Sequence, residues 1–257
     1  LKIDMEAKTV SMGGKTYKEG DTLSLNGTKG TVYEGAVATI NASENELFKQ
    51  FMQLVDKYRT MGVRTNADNP KDAQQAIDFG AEGIGLFRIE HMFYGENSEK
   101  PLAILRKMIL SGSTEERKHW LNELLPYIKV AVKGTMQVMN GKPVTFRLID
   151  PPLHEFVPHT QENVEALAKE LGIESAELNK RIVALEEVNP MMGLRGVRLG
   201  ITYPEITETQ FRALFEAEAE LRKEGFDPHL EIMVPLTISV TELKHQKAIC
   251  DRVHAEV

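Results

Sequence analysis

From Gly62 onward, short apolar segments alternate with helical ones, and nothing else in the 257-residue chain restricts its fold so tightly. Strands joined by helical crossovers run parallel, with the helices packed outside the sheet. Strand one covers residues 62–68. A helix then opens at Asn69 with Pro70 in its first position, where a missing N–H costs nothing, and stops at Gly80. Strand two is Gly83–Arg88. Ser113 and Glu116 form a capping box for a long helix with a Trp120, Leu121, Leu124, Leu125, Ile128 stripe. Strand three covers 144–150, and two helices follow, over 160–172 and around Leu178, Ile182 and Leu185. Residues 189–206 have an ambiguous period. Thr207 and Gln210 read as the cap of a helix ending at Gly225, strand four covers 230–236, and Ser239 with Glu242 caps the last helix.

A doubly wound sheet and a (β/α)8 barrel both fit this order. No GxGxxG opens a helix, and Gly83 and Gly85 fall inside a strand, so dinucleotide binding lacks its main support. Arginines at the ends of two strands suit a barrel mouth. Four strands are half of what a barrel needs, so the N-terminal half of a barrel is expected over 62–257. Residues 1–37 read as short hairpins turning at Gly13-Gly14, Gly20-Asp21 and Asn26-Gly27, too few for a core of their own. Residues 38–61 read as a linker helix, with Ser43 and Glu46 as a capping box and Leu47, Phe51, Leu54, Val55 and Tyr58 at helical spacing.

With a net charge of -7, the chain offers little to a nucleic-acid backbone, which clustered Lys and Arg hold. No apolar run approaches the ~20 residues that span a bilayer. A single cysteine, Cys250, excludes an internal disulfide framework and suits a reducing, cytoplasmic compartment. No signal-peptide pattern is present, and a chain that starts at Leu1 and stops inside a helical pattern reads as an internal piece of a longer protein.

Side chains alternate along a strand. In strand three, Val144, Phe146 and Leu148 share the face expected under the helices, while Thr145, Arg147 and Ile149 share the other. Arg147 then reaches the mouth, with Arg88 at the matching level on strand two. A guanidinium stays charged and grips phosphate or carboxylate with two parallel hydrogen bonds, each attraction worth about 4 kcal/mol at ~4 Å before desolvation. The alternative is structural: each arginine pairs with a carboxylate such as Glu90 or Asp150. Spacing alone decides neither. Arg195 and Arg198 have weaker claims. His91, His154 and His159 lie near strand ends but lack metal-ligand spacing. Cys250 reads as core, and Met191 and Met192 as packing.

Three segments carry a family resemblance: GIGLFRIEHMFYGE from Gly83, VTFRLIDPPLHEFVP from Val144 and NPMMGLRGVRLGITYPEI from Asn189. They resemble the pyruvate, phosphate dikinases, and more loosely phosphoenolpyruvate (PEP) synthase and enzyme I of the bacterial sugar phosphotransferase system. The likeness runs through essentially the whole chain. It implies that 1–37 end a swivelling phosphohistidine domain and that 62–257 begin a PEP/pyruvate-binding barrel, with RGVRLGIT helical. It implies a phosphotransferase interconverting ATP, phosphate and pyruvate with AMP, diphosphate and PEP. Arg88, Arg147 and Arg195 would hold the phosphoryl group. The phosphorylated histidine, the ATP-grasp domain, the catalytic cysteine and the protein ligands of Mg2+ would lie outside this sequence, in a homodimeric parent. The isolated piece would be inactive, at most an anion-binding module, and would self-associate or be marginally stable, because a half-barrel exposes sheet edges. Enzyme I would instead need a phosphocarrier protein.

Overall fold

A computed structural model of the chain describes residues 1–40, 44–95, 98–158 and 160–257. The chain forms two compact units, Leu1–Arg59 and Thr60–Val257.

In the first unit, β1 (Lys2–Asp4), β2 (Thr9–Met12) and β3 (Lys15–Lys18) form an antiparallel sheet, and β4 (Leu23–Asn26) pairs antiparallel with β5 (Thr31–Glu34). Gly13 and Gly14, with φ of 58° and 78°, make the β2–β3 turn, as their sequence predicts. At Asn26-Gly27 the expectation fails: the positive φ falls on Gly30 instead, and the Asn26 side chain accepts from Lys29 N at 3.1 Å, closing the turn through an Asx contact. The α1 helix (Glu46–Tyr58) is capped by Asn45, whose Oδ1 accepts from Leu47 N and Phe48 N; Ser43 lies outside the described residues. No described residue of this unit is buried.

The second unit is built on a four-stranded parallel sheet: β6 (Arg64–Asn66), β7 (Gly83–Arg88), β8 (Pro143–Arg147) and β9 (His229–Met233), in sequential order. Its helices are α2 (Pro70–Asp78), α3 (Glu99–Ile109), α4 (Thr114–Val138), α5 (Gln161–Leu171), α6 (Ser175–Ala184), α7 (Gly196–Thr202), α8 (Pro204–Lys223) and α9 (Val240–Glu256). Asn69, Ser113 and Ser239 cap α2, α4 and α9 as the sequence predicts. Residues 196–202 are helical, as the family resemblance implies.

Two helices differ from expectation. The sequence reading does not anticipate α3. The α8 helix begins at Pro204 rather than near Thr207, because proline presets the first helical φ and needs no N–H partner there. Thr207 and Gln210 are therefore buried inside the helix rather than capping it.

The helix-facing side of the sheet is apolar. Val144, Phe146 and Leu148 are buried, and the Phe146 and Phe87 ring centroids lie 4.8 Å apart. Strict alternation from buried Ile84 would send Arg88 toward the same face. A register shift between Ile84 and Phe87 reverses that parity and turns Arg88 to the open face.

Candidate active site

Arg88 and Arg147 are paired neighbours in the sheet register, so two guanidinium groups leave the strand ends side by side. Arg195, just before α7, comes to the same place. Gly196 makes this approach possible: its φ is +56°, and a Cβ there would lie 2.9 Å from Pro235 O and 3.2 Å from Asp150 Oδ1. Its N–H donates to Asp150 O at 3.2 Å. Arg88, Arg147 and Arg195 line one cavity of about 610 Å³ with Glu90, His91, Tyr94, Asp150 and Glu155.

Each arginine meets carboxylates. Arg147 Nη2 donates to Glu90, and its Nη1 lies 3.2 Å from Asp150 Oδ2. Arg195 Nη2 donates to the same Asp150 oxygen at 2.8 Å, while its Nε donates to Asp150 O at 3.3 Å. Arg88 Nε stands 3.5 Å from Asp68 Oδ2, and its backbone N–H donates to Asp68 Oδ1 at 2.7 Å. The structural alternative raised by the sequence thus holds in part. Yet the pairing leaves hydrogen-bonding capacity over: Nε of Arg88 and of Arg147, Glu90 Oε2 and Asp150 Oδ1 are buried without a hydrogen-bond partner among the described residues. Such atoms are costly unless something else satisfies them.

Glu90 is only 2% exposed, and burial pushes its carboxyl pKa above the ordinary value, outweighing backbone hydrogen bonding and the attraction of Arg147. Burial likewise raises the Tyr94 phenol, reinforced by Glu155 and Glu90.

Gln210 is a contributor that sequence reasoning missed. From inside α8, 3% exposed, its Oε1 accepts from Ile149 N at 2.8 Å and so fixes the backbone between Arg147 and Asp150. The available signal was a glutamine beside the apolar stripe of Phe211, Leu214 and Phe215.

One step down the same face, Thr145 Oγ1 donates to Glu231 at 2.7 Å, and Arg64 grips both Glu231 oxygens at 2.5 and 3.1 Å. Gly85 keeps the intervening strand low; a Cβ there would stand 3.2 Å from Arg64 Cβ.

The remaining candidates separate from this site. His154 Nδ1 is buried and lacks a hydrogen bond among the described residues, and His159 lies outside them. Arg198 Nη1 donates to Gly193 O at 2.9 Å. Cys250 packs half-buried against the core on α9, where burial pushes its thiol pKa up. Met191 and Met192, expected to pack, are 75% and 71% exposed, because they sit in the turn before α7 rather than on a helix face. Among the described residues no three His, Cys, Asp or Glu side chains are arranged to hold a metal ion, so they do not fit the implied Mg2+. No helix among them is long and apolar enough to cross a membrane.

A family profile described as "PEP-utilising enzyme, PEP-binding domain" matches residues 42–257. The chain is 47% identical over 258 residues to pyruvate, phosphate dikinase of Clostridium symbiosum, covering 100% of this chain and 29% of the relative. It is 45% identical to the dikinase of Giardia intestinalis, covering 99% and 28%, and 44% identical to the chloroplastic dikinase 1 of Arabidopsis thaliana, covering 100% and 27%. The chain thus spans under a third of the length of these curated relatives. By the profile match over most of its length, the chain belongs to the PEP-utilising enzymes and carries their PEP-binding domain.

Proposed function

We propose that this cavity binds the phosphoryl group of PEP through Arg88, Arg147 and Arg195, within a parent protein that acts as a pyruvate, phosphate dikinase. The observation that carries the reading is the convergence of three guanidinium groups from three segments on one cavity. Three carboxylates, Glu90, Asp150 and Glu155, line the cavity beside the three arginines, so binding rests on placed donors rather than on net charge. In phosphoryl transfer, charge spreads over the non-bridging oxygens, and fixed donors aimed at those oxygens stabilise that charge without reorganising. In this reading the bond from phosphorus to the enolpyruvate oxygen breaks as a bond to a histidine nitrogen forms, the released enolpyruvate takes up a proton to become pyruvate, and the histidine's phosphoryl group goes on, with AMP and diphosphate, to give ATP and phosphate.

Residues 62–257 would be the first half of a (β/α)8 barrel, supported by the sequential, wholly parallel sheet and by the arginines at the ends of two of its strands. Residues 1–37 would close the swivelling phosphohistidine domain, with 38–61 as the linker. Mg2+ would be bound elsewhere in a cytoplasmic, homodimeric parent. The chain by itself would bury its sheet edges by self-association or be marginally stable; a compact, stable monomer on size exclusion would contradict that.

Supplied with PEP, AMP and diphosphate, the full-length protein should form ATP, phosphate and pyruvate. Transfer to a phosphocarrier protein instead would favour the enzyme I reading and overturn this one.

A further inference from the structure

His91 also lines the cavity, and the proposed role of the arginines gives it no task. Its side chain is 42% exposed and held at both ring nitrogens. Nδ1 lies 3.0 Å from Asp68 Oδ2, and Nε2 lies 3.4 Å from Arg88 Nη1. Asp68 also accepts the backbone N–H of Arg88 at 2.7 Å, so its carboxylate ties the ring to the strand end.

The two neighbours dictate the ring's chemistry. A carboxylate accepts only, so Nδ1 must carry the proton. A guanidinium donates only, so Nε2 must present its lone pair. The Asp68–His91–Arg88 chain therefore selects one neutral tautomer, as a carboxylate behind a metal-bound histidine does. We infer that His91 is a positioning residue: its unprotonated Nε2 accepts from Arg88 and aims that guanidinium into the cavity, with Asp68 holding the ring in register.

This inference rests on the PEP-binding reading and adds to it a pH-dependent element. Protonating Nε2 removes the acceptor, so Arg88 loses its guide as the imidazolium forms. The charged groups facing the ring are Asp68 from the turn after β6, Arg88 from the end of β7 and Glu90 beside it, with Arg147, Arg195, Asp150 and Glu155 lining the same cavity. A direct cationic contact between His91 and an anion is the competing role, and it makes the opposite demand on the ring's protonation.

Three substitutions in the full-length protein separate these roles, read as PEP affinity across pH. His91→Ala removes the acceptor and should weaken binding about three- to tenfold, the size of one long, partly exposed hydrogen bond. His91→Gln keeps a donor toward Asp68 and an acceptor toward Arg88, and should restore most of the loss. It should also lack the acid-side weakening that the inference expects of the native protein. His91→Lys supplies a cation but no acceptor, and should bind no better than His91→Ala. Retained binding in His91→Lys with loss in His91→Gln would overturn the inference, as would three variants indistinguishable from native. Arg147→Ala serves as the reference. If it too leaves PEP affinity unchanged, the PEP-binding reading itself fails; if it alone loses affinity, only the role of His91 fails.

Discussion

Two tiers of charge share one face of the parallel sheet, and they are built differently. In the lower tier, Arg64 and Glu231 meet through two hydrogen bonds, with Thr145 closing the set. Both Glu231 oxygens have donors there. In the upper tier, one step along β8, Arg147 divides its guanidinium between Glu90 and Asp150, and Asp150 is shared again with Arg195. Buried donors and acceptors are left over on both sides of that tier. A guanidinium that meets one carboxylate through two hydrogen bonds has little to offer a ligand, whereas guanidiniums that share carboxylates keep more N–H groups to spare. Arginine at a strand end is thus no evidence of a site by itself; what its neighbours leave unsatisfied is the better guide.

The two tiers share β8. Phe146 stands between Thr145 and Arg147 but faces the helices, so Phe146→Ala should disturb both tiers together. It should lower stability by about 3–5 kcal/mol in urea unfolding. Loss of PEP binding with stability intact would show that Phe146 serves the upper tier alone. A smaller change sharpens the contrast. Gln210→Ala strips the acceptor from Ile149 N beneath the upper tier only, and should cost roughly 1–3 kcal/mol of stability while weakening PEP binding. Unchanged binding would detach Gln210 from the site.

The smallest effect concerns pH. Because burial raises the Glu90 pKa, the folded state holds its proton more tightly than the unfolded chain does, and stability falls as pH rises from about 4.5 through the raised value. Glu90→Gln carries no such proton. Thermal midpoints of the two proteins should therefore shift in the variant's favour as pH rises across that window. A shift toward the native protein would mean that pairing with Arg147 outweighs burial.

Much of this architecture was legible in local sequence. Caps at Asn69, Ser113 and Ser239, and the alternation of Val144, Phe146 and Leu148, depend on neighbours a few residues apart, and the pattern carries that information. What stayed hidden depends on distance in sequence. Gln210 meets Ile149 across 61 residues, and Arg64 meets Glu231 across 167. The parity shift in β7 left only a hint, two glycines inside a strand, which often mark a bulge or a close approach. Arg195 was drawn to the site by the resemblance; spacing gave it only a weak claim, because its approach needs the left-handed Gly196.

The most direct test is calorimetric titration of PEP into the full-length protein beside its Arg147→Ala and Arg64→Ala variants. The two-tier account predicts a loss of about 10- to 100-fold in Arg147→Ala, the value of a charged hydrogen bond, and native affinity in Arg64→Ala. Equal losses in both variants, or full binding by Arg147→Ala, would contradict it.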